Sequence, residues 1–153
     1  MTKPIPDGYH SLTANLAVDG GARALDFYTR AFGAEVVRRI DAGGLVVHSE
    51  LRIGDSLFTV TDAMPEYGIG APDPGGPVPA SMLIYCDDVD TLFARAIAAG
   101  ATEVTPVGDS FHGDRVGSLR DPFGHRWTIG THTEDMSQAE MQRRTDEYLA
   151  QAR

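Results

Sequence analysis

The sequence contains one cysteine, few basic residues and no long apolar run, and each shortage excludes a class of protein. Cys86 alone cannot form an internal disulfide, which is typical of a reducing compartment rather than of a small secreted scaffold. No stretch is apolar over the roughly 18–20 residues that a membrane-spanning helix requires. Met1–Pro6 lacks the apolar core of a signal peptide. We therefore expect a cytoplasmic protein with no membrane partner.

Positive charge is also scarce, because 13 Lys and Arg stand against 22 Asp and Glu and the formal net charge is −9. An acidic chain repels a phosphate backbone, so nucleic acid is not an expected partner. The same charge favours a cationic small molecule. With 153 residues and a hydrophobic content of 42%, the chain is long enough for one domain with a core.

Residues 10–64 have the pattern of a βαβββ module. Ser11–Val18 alternates apolar and polar residues, which predicts a strand. Asp19-Gly20-Gly21 then starts a helix that Gly33 ends, and its apolar positions recur at helical spacing: Ala24, Leu25, Tyr28, Ala31 and Phe32. Three strands follow at 35–40, 45–53 and 57–61, separated by glycine-containing turns.

Residues 65–79 are expected to link this module to a second one. Five prolines and four glycines punctuate the segment, so it cannot hold a helix or a central strand. A mobile flap over a pocket and a plain crossover between modules both fit this composition.

Residues 80–133 repeat the element order of the first module. Met82–Cys86 is an apolar strand, Asp87 or Asp88 can cap the following helix, and its buried positions are Val89, Leu92, Phe93, Ala96 and Ile97. Strands at 102–107, 116–119 and 126–129 complete the module. Four residues recur at a constant offset of 67, since Leu25, Ala31, Gly33 and Ala34 match Leu92, Ala98, Gly100 and Ala101.

An internal duplication explains this repeat. It predicts an α+β fold in which two tandem βαβββ modules form curved mixed sheets around a cavity, within one domain spanning residues 1–153. Residues 137–151 add a C-terminal helix, in which Ser137 and Glu140 form a capping box. The apolar edge of this helix can dock on the sheet or on a partner subunit; it comprises Met141, Tyr148 and Leu149.

The stretch from Phe111 to Trp127 concentrates chemically able side chains in two consecutive hairpins. Asp121-Pro122-Phe123-Gly124 has the residue order of a type I turn, with Asp first, Pro second and Gly fourth. His112, Arg115 and Trp127 could line a ligand pocket. They could also belong to the polar faces and turns of an antiparallel sheet.

Motifs in both modules resemble the vicinal oxygen chelate superfamily, which includes glyoxalases, extradiol dioxygenases, fosfomycin-resistance enzymes and bleomycin-resistance proteins. The motifs are Asp26-Phe27-Tyr28, Phe32-Gly33-Ala34 and Asp121-Pro122-Phe123-Gly124-His125. A narrower similarity to the PhnB-like subgroup comes from His48-Ser49-Glu50-Leu51-Arg52-Ile53-Gly54-Asp55, Gly113-Asp114-Arg115 and Trp127. The resemblance spans Thr13 to Thr133 and, with the apolar edge of the terminal helix, implies a homodimer.

The resemblance also implies where a divalent metal would lie. Enzymes of the superfamily hold one metal through four side chains on the cavity wall, and the matching positions here are Thr13, Thr59, Ser81 and Thr128. Neutral hydroxyls bind divalent metals far more weakly than imidazole, carboxylate or thiolate. We therefore expect no metal or other cofactor at the usual centre and assign these four residues to a ligand pocket.

His48 and Glu50 lie two residues apart on a predicted strand, so both project to the same face. They could be an acid–base pair or half of a relocated metal site, or an ion pair on an exposed strand face. Tyr85 and Trp127 could be flat apolar walls of a pocket, or core residues. Arg115 could pair with Asp114 instead of meeting a ligand.

Two main functions follow from these patterns. The first is a metal-independent protein that binds a small organic molecule, a drug or a metabolite, in its cavity; the resemblance to drug-sequestering resistance proteins supports it. The second is a lyase, isomerase, cyclase or dioxygenase-type enzyme that uses a relocated divalent metal or acid–base chemistry at His48 and Glu50. A scaffold whose cavity is filled by side chains is a third possibility.

Overall fold

The element order of the first half of the chain repeats in the second half. In the computed structural model, which describes residues 1–153, the first module comprises β1 (Asn15–Val18), α1 (Gly21–Phe32), β2 (Glu35–Ala42), β3 (Leu45–Ile53) and β4 (Ser56–Asp62). The second comprises β5 (Ser81–Tyr85), α2 (Val89–Ala99), β6 (Thr102–Asp109), β7 (Asp114–Arg120) and β8 (Arg126–His132), and α3 (Gln138–Gln151) follows. The predicted α+β order of two modules and a terminal helix is confirmed.

Each module forms a four-stranded mixed sheet. The strand orders are β1-β4-β3-β2 and β5-β8-β7-β6. In both sheets the first strand pairs parallel with the last strand of its module, and the remaining pairs are antiparallel. The equivalent strands β1 and β5 therefore each lie at a sheet edge.

Several strand bounds differ from the sequence prediction. The sequence predicts a strand from Ser11, but β1 begins at Asn15, the first of its residues that pairs with β4. Five other strands are two or three residues longer than expected, because their partners continue the ladder: β2, β4, β6, β7 and β8.

One face of each sheet packs against the helices, most clearly along β1, β4 and β8, whereas every residue of the edge strand β2 is exposed. A core of 22 residues takes Leu16, Val18 and Val60 from the first sheet, and Ile84 and Ile129 from the second. The helices α1 and α2 contact each other, so the two modules share this core.

Aromatic rings form the centre of the contact between modules. Trp127 of β8 is 2% exposed, and its ring centroid lies 4.7 Å from that of Phe32, 5.5 Å from Tyr28 and 5.9 Å from Phe58, all in the first module. The indole N–H of Trp127 and the hydroxyl of Tyr28 both donate hydrogen bonds to Asp121 Oδ2, at 2.9 and 2.6 Å.

Asp121 also builds the turn that the sequence predicts. Its Oδ1 accepts hydrogen bonds from the backbone N–H groups of Phe123 and His125, and the Gly124 N–H donates to its carbonyl oxygen at 3.2 Å. The turn therefore forms as expected. The carboxylate is 4% exposed and joins the turn to both modules.

A second buried carboxylate, Asp62, caps α1 from a distant part of the sequence. Its Oδ1 accepts hydrogen bonds from Gly20 N at 3.1 Å and Gly21 N at 2.8 Å, and its Oδ2 accepts one from Val46 N. A Cβ on Gly21 would lie 2.7 Å from Asp62 Oδ2, so a glycine is needed at this position. The cap thus comes from the end of β4 and not from the helix's own first residues.

The linker at residues 65–79 is held by Arg120. The guanidinium donates hydrogen bonds to the carbonyl oxygens of Gly76 and Asp73 in the linker and to that of Gly124 in the turn. Residues 65–67 form a single 3₁₀ turn. These contacts favour the crossover interpretation of the segment over the mobile flap.

The terminal helix α3 contributes no residue to the core. Ser137 caps it, because its hydroxyl accepts a hydrogen bond from Glu140 N at 3.2 Å. The Glu140 carboxylate instead pairs with Arg143 and Arg144, so only half of the predicted capping box forms.

None of the three helices has the length and apolar character that crossing a membrane requires.

Candidate functional site

The face of the first sheet that points away from the helices carries a polar cluster. His48 Nε2 lies 3.2 Å from Glu50 Oε1, which confirms that the two residues share a face. Arg38 is opposite Glu50 on β2, with its Nη1 3.8 Å from Oε1. Thr59 is opposite Glu50 on β4, and its hydroxyl donates to Asn15 Oδ1. The cluster therefore combines charged groups with hydroxyl and amide oxygens.

The surroundings of Glu50 favour its ionised form. The hydrogen bond with His48 is the main cause that holds the pKa of Glu50 below its usual value, and the charge of Arg38 acts in the same direction. Burial and the charge of Glu50 raise the pKa of Tyr9 in turn. Glu50 therefore carries a negative charge at neutral pH and is a weaker base than a free carboxylate.

The four positions implied for a metal do not form a good donor set. Thr13 precedes β1 and Thr59 lies on β4, whereas Ser81 and Thr128 lie on β5 and β8 of the other sheet. The hydroxyls of Thr59 and Thr128 hydrogen-bond to Asn15 and Ser118 respectively. No group of three His, Cys, Asp or Glu residues is placed to hold a metal ion. These residues do not fit the divalent metal of the superfamily on their donor chemistry.

A groove of about 830 Å³ runs between the modules. One wall comes from the first module and the segment that precedes β1. Its residues are Leu12, Ala14, Phe32, Ile53, Gly54, Asp55, Ser56, Leu57 and Phe58. The other wall comes mainly from the edge strand β5: residues 82–87, with Leu92 and Trp127. Leu83 and Tyr85 are about half exposed along it. His48 and Glu50 are not part of this lining.

A hydrogen-bonded network beside the groove was not indicated by the sequence. Tyr85 donates from its hydroxyl to Asp114 Oδ2 at 2.8 Å, and His132 Nδ1 lies 2.7 Å from Asp114 Oδ1. His132 Nε2 lies 2.8 Å from Asp135 Oδ1. The hydrogen bond to Asp114 is the main cause that raises the pKa of His132, followed by the one to Asp135. Asp114 and His132 are opposite each other in the pairing of β7 with β8, a register that the sequence does not show.

Three other expected pocket residues lie apart from this network. Trp127 is a core residue whose edge reaches the groove. His112 is exposed in the turn before β7 and lies 2.7 Å from the Ser110 hydroxyl through Nδ1. Arg115 makes two hydrogen bonds to Asp90, at 2.7 and 2.8 Å.

The expected pairing of Arg115 with Asp114 is therefore wrong. Consecutive residues on a strand point to opposite faces of the sheet. Asp114 faces Tyr85 and His132, whereas Arg115 reaches Asp90 on α2 and Asp109 on β6.

Known proteins share both the sequence pattern and the fold. The model of the Glyoxalase/Bleomycin resistance protein/Dioxygenase superfamily matches residues 10–129. An uncharacterized protein of Mycobacterium bovis is 37% identical over 136 residues, covering 86% of this chain and 90% of that protein. The Mycobacterium tuberculosis counterpart has the same identity and is covered over 80% of its length.

Solved structures agree with this assignment. TioX from Micromonospora sp. ML1 superimposes with a TM-score of 0.66 at 31% identity, over 80% of this chain and 98% of that one. A putative 3-demethylubiquinone-9 3-methyltransferase, described as a PhnB protein, from Bacillus cereus gives a TM-score of 0.60 at 23% identity, over 80% and 99%; this likeness shows the fold alone. The doubled modules, the Asp121 turn and the match over residues 10–129 together show that the chain belongs to the glyoxalase/bleomycin resistance protein/dioxygenase superfamily.

Proposed function

We propose that this protein binds a small organic molecule, a drug or a metabolite, without a divalent metal. The observation that carries the proposal is the groove between the modules, which is lined by 13 hydrophobic residues out of 17. Its volume of about 830 Å³ is of the size that drug-like ligands occupy. The position of Tyr85 along this groove supports the proposal.

The groove can be tested with the neutral probe N-phenyl-1-naphthylamine, whose emission increases in apolar surroundings. We expect saturable binding to the wild type and at least fivefold weaker binding to Leu83→Asn. Leu45→Asn is the matched control, because Leu45 at the start of β3 is 42% exposed, against 52% for Leu83, and does not line the groove. No saturable binding, or equal binding to both variants, would refute the proposal.

The absence of a metal is a separate part of the proposal. We expect elemental analysis of protein purified without chelator to give no stoichiometric metal. We also expect no thermal shift when nickel, zinc, manganese or iron(II) is added. A stoichiometric metal would contradict this part and direct attention to a relocated site near His48 and Glu50.

An enzyme that uses acid–base chemistry is the second candidate, because His48 and Glu50 are in contact at 3.2 Å. The lowered pKa of Glu50 makes it a weak general base at neutral pH, which favours binding over catalysis. If a bound molecule is recovered chemically changed, Glu50→Gln should abolish the conversion and preserve binding. Recovery of the molecule unchanged supports the binding protein.

A homodimer in the cytoplasm is the setting we propose for this function. Both sheets leave one face free of helices, and the apolar edge of α3, formed by Met141, Tyr148 and Leu149, is exposed in the single chain. Such apolar surface supports association with a second copy. Elution as a monomer at micromolar concentration would refute the dimer.

A role in antibiotic resistance is proposed from the superfamily alone. It requires that cells that express the protein are protected against an antibiotic.

A further inference from the structure

We propose that the ligand of the groove is an amphiphilic organic cation, with Asp55 and Asp87 as its counter-ions and the ring of Tyr85 as its aromatic contact. This inference rests on the proposed function, since it names the chemical class of the molecule that the same groove binds.

Charge in the groove has a single sign. Four of the 17 lining residues are not hydrophobic: Gly54, Asp55, Ser56 and Asp87. The two aspartates are therefore the only charged groups, and no Lys, Arg or His lines the groove. Both aspartates are exposed to solvent at the rim of the groove, and their charge repels anions and attracts cations there.

Neither aspartate has a basic partner within the chain. The ion pairs of the protein involve other carboxylates, and Asp55 accepts only a hydrogen bond from the Ser56 hydroxyl at 2.8 Å. A neutral apolar ligand that covered these carboxylates would remove water from them without compensation, which is unfavourable. A cationic group on the ligand supplies that compensation.

Tyr85 adds an aromatic surface suited to a cation. Its hydroxyl donates a 2.8 Å hydrogen bond to Asp114, a carboxylate that His132 holds from the other side. Hydrogen bonding to a carboxylate polarises the phenol toward the ring. The face of an electron-rich ring attracts organic cations, especially where contact removes water. The network thus fixes the position of the ring and strengthens its attraction for positive charge.

The test compares two ions of nearly equal size and shape, tetraphenylphosphonium and tetraphenylborate. Each is titrated against N-phenyl-1-naphthylamine bound to the full-length wild-type protein. We expect the cation to displace the neutral probe at a concentration at least tenfold lower than the anion. We also expect this ratio to fall as salt is raised, because screening weakens exposed ionic interactions.

Substitutions test whether the preference for the cation over the anion depends on Asp55, Asp87 and Tyr85. Asp87→Asn should weaken tetraphenylphosphonium binding by about fivefold, and Asp55→Asn with Asp87→Asn should abolish the preference. Glu103→Gln is the matched control, because it removes the same charge from an exposed position on β6 outside the groove. Tyr85→Leu should weaken binding of the cation more than binding of the neutral probe. Tyr85→Phe should retain part of the binding of the cation.

The outcomes separate this inference from the proposed function. If the neutral probe binds but the two ions compete equally, or if Asp87→Asn behaves like Glu103→Gln, the cation proposal is overturned and groove binding stands. If the neutral probe itself fails to bind, the groove does not accept small molecules, and both proposals fail.

Discussion

At the scale of single residues, Asp121 connects parts of the chain that are far apart in sequence. Its carboxylate accepts hydrogen bonds from Tyr28 on α1, from Trp127 on β8 and from two backbone N–H groups of its own turn. The sequence predicts the turn, because Asp, Pro and Gly occupy characteristic positions. It cannot predict the two side-chain donors, because they depend on how the modules pack.

Asp121→Asn should destabilise the fold by about 2–4 kcal/mol, because an amide nitrogen would face donors that are now paired with a buried carboxylate oxygen. Tyr28→Phe should cost less, about 1–2 kcal/mol, since Asp121 keeps its other partners. Chemical denaturation measures both values. Asp26→Asn is the control, because Asp26 is an exposed partner of Arg30 and its loss should change stability by at most about 0.5 kcal/mol. Equal effects of Asp121→Asn and Asp26→Asn would contradict the role of Asp121.

His132 should make stability depend on pH. Its pKa is raised in the folded state by Asp114 and Asp135, so its contribution is fully present below the unfolded value of about 6.5 and is lost as pH rises through the raised folded value. At the acid end, the pKa of Asp114 is lowered, mainly by His132, so its contribution is lost as pH falls through that lowered value.

The difference in melting temperature between the wild type and His132→Gln measures this effect. We expect it to be largest near about pH 5 and to shrink as the pH rises toward about 9. His10→Gln, at an exposed position with no hydrogen-bond partner in the structure, serves as the control. A difference that does not change with pH would show that His132 acts only through packing.

At the scale of secondary structure, the sequence predicts features that depend on neighbouring residues. It does not predict contacts between residues that are far apart in the chain. Neighbouring residues predict the end of α1 at Gly33, the end of α2 at Gly100 and the capping of α2 by Asp88. The cap of α1 comes from Asp62, which is 41 residues from Gly21 and gives no local signal. The His48–Glu50 contact was predictable because it requires only the two-residue period of a strand.

The terminal helix α3 should detach without unfolding the rest of the chain. It docks through the stacked rings of Phe111 and Tyr148, whose centroids are 4.7 Å apart, and through the ion pair of Arg144 with Glu134. Tyr148→Ala should increase hydrogen exchange across residues 138–151 and leave the unfolding midpoint nearly unchanged. The control is Thr145→Ala, which removes a hydroxyl from the same helix but no ring. A large loss of global stability would show that the helix belongs to the core.

At the scale of the whole molecule, the two modules should unfold together. They share one core of 22 residues, α1 packs on α2, and His125 Nε2 lies 2.8 Å from the Ala17 carbonyl oxygen on β1. We expect a single calorimetric transition whose van't Hoff and calorimetric enthalpies agree. Two resolved transitions would show that each module is stable by itself. The sequence predicts the duplication, because the element order repeats. It does not predict how the two modules pack against each other, because residues such as Trp127, which form that contact, have the sequence pattern of any strand residue.

Trp127 has one more consequence, because it is the only tryptophan of the chain and lies where the modules meet. The protein therefore carries a natural fluorophore at its central contact. While the rings of Phe32 and Phe58 enclose the indole, its emission should lie at short wavelength. It should shift to the red once the halves part and water enters. Rapid-mixing experiments could thus time the docking of the modules without any added label.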